Sequence, residues 1–256
     1  MGSYASEYRT FFYNLKRYGF SLSSKEIKQM IITVLIIAFV WSFNKWGDVT
    51  FDFVAGLKNF LLGALYAAIG LIINQIGQRI VAVYYGYDPT YEYGIIGLMI
   101  ALVITFASRG WLIFFLPGGV NVRHLTASRL GEFRYYTNDW EWAKGGFTGP
   151  FFNIILVILC SFFKEIPFVR ELMIMNIMFA VYSLVPIPGN LGLYLFYPHV
   201  YFWSFTLGIV AGSSLAAFFL PPLFSFLIGI FAGVFAMYWH YVKKDDRLHM
   251  PWEGEH

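Results

Sequence analysis

The stretch Asn74-Gln75-Ile76-Gly77-Gln78 ends an apolar run, residues 59–78, that contains no Asp, Glu, Lys or Arg. At helical spacing Asn74 and Gln78 lie four residues apart, so they project from one face with Gln75 beside them. Three amides within about one helical turn are costly in a membrane, because lipid offers no hydrogen-bond partners. The run therefore predicts a membrane helix that carries a polar cluster satisfied from within the protein.

The composition of the whole chain agrees with a membrane protein. Of 256 residues, 58% are hydrophobic, 21% are aromatic and 13% are charged, whereas soluble domains carry about 25% charged residues. No Asp, Glu, Lys or Arg occurs between residues 172 and 242. The predicted fold class is an all-α polytopic membrane protein with the lipid bilayer around it. The net charge of +3 is small and the basic residues are scattered, so no nucleic-acid partner is expected.

The chain divides into three predicted regions. Residues 1–26 form a basic, aromatic N-terminal segment of the kind that lies at the membrane interface. Residues 27–242 form the transmembrane domain, with a polar loop at about 117–146, and residues 243–256 form a polar tail. Ser23 followed by Glu26 predicts a capping box at the start of the first span. The predicted spans cover about residues 27–43, 53–84, 95–115, 149–163 and 172–185, with two more in 191–242 divided at Pro221-Pro222.

The predicted number of spans is six or seven, in a multi-pass protein of the cell membrane. Basic residues among the first 28 place the N-terminus in the cytoplasm by the positive-inside rule, and Lys243, Lys244 and Arg247 place the C-terminus there too. Two cytoplasmic ends require an even number of spans, which conflicts with seven apolar segments. One segment must therefore be re-entrant or split. We expect it around residues 186–192, because non-helical backbone at membrane depth is tolerated only where it is buried in protein.

The spacing of residues 74, 75 and 78 is also that of a metal-binding His-Glu-x-x-His helix. In such a helix the two His side chains hold zinc and the Glu is the general base. Here Asn74, Gln75 and Gln78 put an amide at each of these positions.

Residues 74–86 resemble the zinc helix of the site-2 protease family of intramembrane metalloproteases, which reads roughly His-Glu-x-Gly-His, then a basic residue, small and apolar residues, and a Gly. Downstream, Gly149-Pro150-Phe151-Phe152-Asn153 is similar to that family's Gly-Pro-x-x-Asn helix start. Residues 183–192 align without gaps on its Asn-x-x-Pro-x-Pro-x-x-Asp-Gly segment. The prolines and the final Gly are kept, but the family's Asp ligand falls on Leu191 and its first Asn on Ser183.

The resemblance extends over about residues 57–196, and residues 97–120 look like the archaeal branch of the family. It implies a site-2-protease-like core whose three zinc ligands and general base are all replaced. Amide oxygens are weak zinc ligands, Leu offers none, and Gln is not a usable base. The expectation is a pseudoprotease that is not an enzyme and holds no metal or other cofactor.

Members of that family open a cleft between helices to admit a transmembrane segment. The resemblance therefore implies a non-catalytic protein that binds other integral membrane proteins, as a subunit of a larger complex or as a regulator. Asn153 and Asn190 are the candidate polar contacts to a bound segment. Gly208-x-x-x-Gly212 and Gly229-x-x-x-Gly233 allow close helix approach, either to a partner or within the chain.

Three alternatives remain open on the sequence. The amide side chains, with Ser183 and Asn190, could form a satisfied buried network in place of a metal site. An intramembrane metalloprotease-family enzyme with an atypical site needs His, Cys, Asp or Glu in the cores of the spans, and none occurs there. A path for a small solute or ion lined by the amides predicts internal repeats, and no convincing repeat is found.

Overall fold

The structure, a computed structural model, describes residues 9–47, 50–124 and 139–248, with side chains as far as residue 243. A π-helical segment, Leu15–Gly19, comes before the first labelled helix, and two strands, β1 (Tyr87–Glu92) and β2 (Gly119–His124), lie on either side of α3. The labelled helices are α1 (Ser24–Ser42), α2 (Phe53–Tyr84), α3 (Ile95–Ala107), α4 (Asp139–Cys160), α5 (Pro167–Ser183), α6 (Leu191–Phe196), α7 (Val200–Phe219) and α8 (Pro222–Leu248).

The described part of the chain is mostly helical, as expected for an α-helical membrane protein. Four helical segments in it are long and apolar enough to cross a membrane: Phe53–Tyr84, Asp139–Phe163, Val200–Phe219 and Pro222–Lys243. By contrast, α3 has 13 residues, which span about 20 Å of a hydrocarbon layer about 30 Å thick. The prediction of six or seven spans stays a prediction.

Local sequence signals place the starts of α1 and α2. The Ser23 hydroxyl oxygen accepts a hydrogen bond from the Glu26 amide at 3.2 Å, and the Ser23 amide donates to Glu26 Oε2 at 2.8 Å. The predicted capping box is therefore confirmed. Asp52 caps α2 by accepting hydrogen bonds from the amides of Val54 and Ala55, and the helix then runs over the predicted residues, Phe53–Tyr84.

Two of the predicted helix boundaries are wrong. The helix expected over 95–115 ends at Ala107, because Arg109 and Gly110 take positive φ angles of 53° and 75° and turn the chain. The Gly149-Pro150 pair is not a helix start, since α4 already includes Asp139 and contains Pro150 in its interior. The proline lacks the N–H that would bond to the carbonyl of Gly146, so α4 lacks that hydrogen bond.

Further differences lie toward the C-terminus. Helix α5 begins earlier than expected, with Pro167 in its first turn, where a missing N–H costs nothing. Pro221-Pro222 does divide α7 from α8, but α8 continues to Leu248, so the predicted polar tail begins inside a helix. Of the predicted polar loop, residues 125–138 lie outside the described residues.

The two strands were not predicted. They pair antiparallel from Tyr87 opposite His124 to Glu92 opposite Gly119. Asp88 and Pro89 lie inside β1, whereas α2 ends at Tyr84 and the chain turns at Gly86 with a φ of 78°. The alternation of Tyr87 and Tyr91, both buried, with more polar residues is the signal that a strand was present.

Helix α2 is the central element of the fold and contacts α1, α4 and α5. Two glycines let it approach α4 closely. A Cβ added at Gly77 would lie 2.6 Å from the carbonyl oxygen of Thr148, and one at Gly149 would lie 2.6 Å from Gln78 Nε2. This close approach brings the amides of α2 next to side chains from α4.

Candidate functional site

Four polar side chains meet where α2, α4 and α5 come together, and we call them the amide cluster: Asn74, Gln78, Asn153 and Ser183. Asn74 is 1% exposed and Asn153 fully buried. An unpaired amide in such a place would carry the full cost of its lost hydration. The arrangement is therefore set by how these groups bond to one another.

Hydrogen bonds connect the amide cluster across all three helices. Asn74 Nδ2 donates to Asn153 Oδ1 at 2.7 Å and, with a longer separation of 3.4 Å, to the Ser183 hydroxyl. Gln78 Nε2 donates to Asn74 Oδ1. Gln78 Oε1 accepts from the backbone amide of Val120 at 2.9 Å, so β2 is joined to the cluster.

The network continues through a residue that the sequence did not single out. Asn153 Nδ2 donates to Asn176 Oδ1 at 2.9 Å and to the carbonyl of Gly70 at 3.0 Å. Asn176 Nδ2 in turn donates to the carbonyl of Leu172 at 2.8 Å, within α5. The available signal was an amide side chain inside the charge-free run 172–242. With Asn176 included, the cluster leaves few polar atoms free for a ligand.

Gln75 and Asn190 do not join the cluster through their side chains. Gln75 is buried, and its Oε1 has no hydrogen-bond partner among the described residues. Asn190 Nδ2 donates to the carbonyls of Tyr182, Ser183 and Val185 at 2.7, 3.2 and 2.9 Å. It thereby satisfies carbonyls at the end of α5, while its Oδ1 lacks a described partner.

Leu191, at the position of the family's third ligand, lies at the edge of the amide cluster. It is buried and contacts β2, since a Cβ added at Gly119 would lie 2.7 Å from Leu191 Cγ. Leu191 and Gln78 line the same small cavity. The fold therefore places Leu191 on the same cavity wall as Gln78, which bonds to Asn74.

Three cavities surround Trp142 next to the cluster. We call them the inner, middle and outer cavities, and the space open to the centre of a water molecule is about 20, 80 and 370 Å³ in turn. The inner cavity is bounded by Gln78 and Leu191, the middle one by Leu191 and Asn190, and the outer one by Asp139. Trp142 lines all three, so the three cavities lie around one side chain of α4 beside the cluster.

A buried ion pair lies at the end of α2 that faces β1. Arg79 Nη2 bonds to Glu26 Oε1, which also accepts from the amide of Tyr91 at 2.8 Å. Arg79 Nη1 donates to the carbonyls of Gly19 and Pro89. The pair joins the N-terminal segment, α1, α2 and β1. The sequence pointed to Glu26 only as part of the capping box, and it predicted that the second span carries Arg79 toward the surface. The buried ion pair shows that the prediction for Arg79 is wrong.

Asp88, on β1, lies close enough to this pair to be affected by it. Burial raises the pKa of the Asp88 carboxyl, and the charge of Glu26 raises it further, against the opposing effect of Arg79 and Arg123. Asp88 therefore has a weaker tendency to ionise than an ordinary aspartate at the protein surface.

The four glycines proposed for helix association lie where α7 packs against α8. A Cβ added at Gly208 would lie 2.5 Å from the carbonyl oxygen of Ala232, and one at Gly212 would lie 2.6 Å from Ala232 Cβ. One added at Gly233 would lie 2.7 Å from a side-chain carbon of Ile209. This is the within-chain packing that the sequence left open. A partner at Gly208 and Gly212 would have to displace α8.

The chemistry open to the amide cluster is hydrogen bonding. Amides neither release nor accept a proton near neutral pH, and their carbonyl oxygens are weak ligands for zinc. Among the described residues, no three His, Cys, Asp or Glu side chains come together in a group suited to a metal ion. Comparison of this chain with protein-family models, curated proteins and solved structures gives no match.

Proposed function

We propose that this protein is a non-catalytic, multi-pass protein of the cell membrane with a site-2-protease-like core and a cytoplasmic N-terminus. It binds a transmembrane segment of another protein without cutting it, as a subunit of a larger complex or as a regulator. The observation that carries the proposal is the amide cluster at residues 74, 78 and 153. Its polar atoms bond to one another and to the backbone, where the resemblance implies a metal and a water molecule.

The cavities around Trp142 support binding of a segment. The inner cavity has apolar walls at Ala82, Val120, Val122 and Leu191, and the outer cavity is bounded by Leu193, Tyr194 and Tyr197. Apolar walls with a few polar groups are typical of binding sites for partners. Leu191 supplies apolar surface at the place where the resemblance implies a charged ligand, which favours holding an apolar segment over hydrolysing it.

Site-specific crosslinking tests this proposal. A photoreactive phenylalanine analogue replaces Trp142, which lines all three cavities, in the full chain expressed in its native membrane. The same analogue at Trp111, which is 85% exposed and lines none of the three, is the matched control. We expect one membrane protein, recovered intact, to crosslink at residue 142 and not at 111. Equal crosslinking at both positions, or recovery of cleaved partner, would refute the proposal.

A further inference from the structure

The middle cavity contains a buried acceptor without a partner. Asn190 is 2% exposed and lines this cavity, and its Oδ1 has no hydrogen-bond partner among the described residues. Its Nδ2 is fully used on three carbonyls, which fixes the orientation of the amide. A buried acceptor of this kind is destabilising unless a donor reaches it.

The walls of the middle cavity favour a cation. Glu92 and Asn121 supply further acceptors at its edge, and Trp142 and Tyr194 supply aromatic surface. The two rings pack with centroids 4.5 Å apart. Aromatic faces attract ammonium groups, most strongly at Trp. Asp139 adds a second carboxylate in the adjoining outer cavity.

No basic side chain of the chain itself is available to this site in the described structure. Among the described residues, neither Lys, Arg nor His lines the inner, middle or outer cavity. The carboxylates therefore have no cation beside them in these walls. The same absence, together with the negative charge of Glu92 and Asp139, disfavours a phosphate-bearing lipid headgroup.

From this geometry we infer that the middle cavity binds the ammonium group of a lysine that flanks the transmembrane segment held by the protein. The inference rests on the proposed function and specifies the partner's chemistry. The ammonium donates to Asn190 Oδ1 and is held by the Glu92 carboxylate and the Trp142 ring. A lysine fits better than an arginine, because the three donors of an ammonium match the few acceptors of this cavity, whereas a guanidinium carries five donors in a rigid planar fork.

A binding assay with synthetic segments tests the inference. The full chain is reconstituted in phosphatidylcholine vesicles with a labelled peptide of about twenty Leu and Ala residues, long enough to span, and a Lys at each end. The matched control peptide carries acetyl-lysine, which keeps the number of residues in the peptide and removes the positive charge of the lysine. We expect the lysine peptide to bind about tenfold more tightly, as charge-assisted hydrogen bonds are stronger than neutral ones.

Two variants of the protein test whether Glu92 causes the difference in binding between the two peptides. Glu92→Gln should reduce binding of the lysine peptide to the level of the acetylated one, because the exposed carboxylate is replaced by an amide of equal size. Glu165→Gln is the control, since Glu165 is equally exposed but lies beyond the opposite end of α4, and it should leave binding unchanged. Equal binding of the two peptides, or equal effects of the two variants, would overturn the inference and leave the proposed function standing.

Two further outcomes separate the alternatives. If replacing half of the phosphatidylcholine by phosphatidylethanolamine abolishes the advantage of the lysine peptide, the ammonium comes from lipid and the inference is wrong. If neither peptide binds, the inference also fails, and the crosslinking experiment at Trp142 then decides the proposed function independently.

Discussion

Asn74 is the residue on which the amide cluster depends, because it bonds to residues on both sides. Its Nδ2 donates to Asn153 and its Oδ1 accepts from Gln78. Replacing it by Leu leaves Asn153 Oδ1 and Gln78 Nε2 unpaired in a buried place, and interhelical hydrogen bonds in membranes contribute about 1–2 kcal/mol at most.

We therefore expect Asn74→Leu to lower the free energy of unfolding by about 1–2 kcal/mol, measured by denaturation in detergent. Gln75→Leu is the matched control, since Gln75 is equally buried and its Oε1 has no described partner. Gln75→Leu should lower the free energy of unfolding by less than Asn74→Leu does. Equal losses for the two variants would show that the hydrogen bonds of the cluster do not stabilise the fold.

The buried ion pair of Arg79 and Glu26 predicts a larger loss of stability. Removing one partner of a buried ion pair leaves the other charge uncompensated, at a cost of about 3–5 kcal/mol. Arg79→Met should therefore destabilise the protein by about that amount in the same denaturation experiment. Lys58→Met is the control, as Lys58 is an exposed cation on the same helix. A loss below about 1 kcal/mol, as found for exposed pairs, would indicate that water reaches the pair.

Asp88 adds a dependence on pH. Because its pKa is raised in the folded protein, the folded state holds this proton more tightly than the unfolded state does. This proton stabilises the folded state in full at a pH below the ordinary aspartate pKa of 3.8. The stabilisation is lost as the pH rises through the raised pKa of Asp88. Asp88→Asn should remove this part of the pH dependence of the thermal midpoint. Parallel midpoint curves for wild type and variant would contradict the assignment.

At the scale of elements, α7 and α8 form a hairpin whose close contact depends on glycines. Gly208→Leu would force side-chain carbon into the backbone of Ala232 and Gly233, so we expect the hairpin to separate or the protein to lose stability by about 1–3 kcal/mol. Ala211→Leu is the control on the exposed face of α7. Disulfide crosslinking between cysteines placed on the two helices reports their contact. Undiminished crosslinking in Gly208→Leu would contradict this packing.

Elements with local signals were predictable from the sequence. Ser23 with Glu26 set the start of α1, and Asp52 with the apolar run set α2. Helix boundaries that depend on tertiary contacts were not predictable from the sequence. The resemblance implied a helix start at Gly149-Pro150, yet the packing of α4 against α2 and α5 supports the helix through Pro150.

The candidate site was predictable only in part for the same reason. The i, i+4 spacing of Asn74 and Gln78 fixes their shared face, and the resemblance connected Asn153 and Ser183 with them. Asn176 and the amide of Val120 join through contacts between distant segments, for which no local pattern exists. The ion pair of Glu26 and Arg79 joins residues 53 positions apart, and either residue alone is unremarkable in sequence.

At the scale of the whole molecule, the proposed function rests on two features of the structure. A network of bonded amides occupies the place where the resemblance implies zinc, and three cavities lie around Trp142 beside that place. Under the proposed function, a protein with both features holds a segment that it does not hydrolyse, since none of the cluster side chains can activate water. The protein should therefore be found together with an intact partner.

Native mass spectrometry of the protein, extracted from its own membrane in mild detergent, tests this claim most directly, because one spectrum reports the metal content, the partner and the state of the partner. The proposed function predicts this chain in complex with one intact membrane protein, with no bound zinc. The chain alone, or a zinc-bearing chain accompanied by partner fragments, would contradict it.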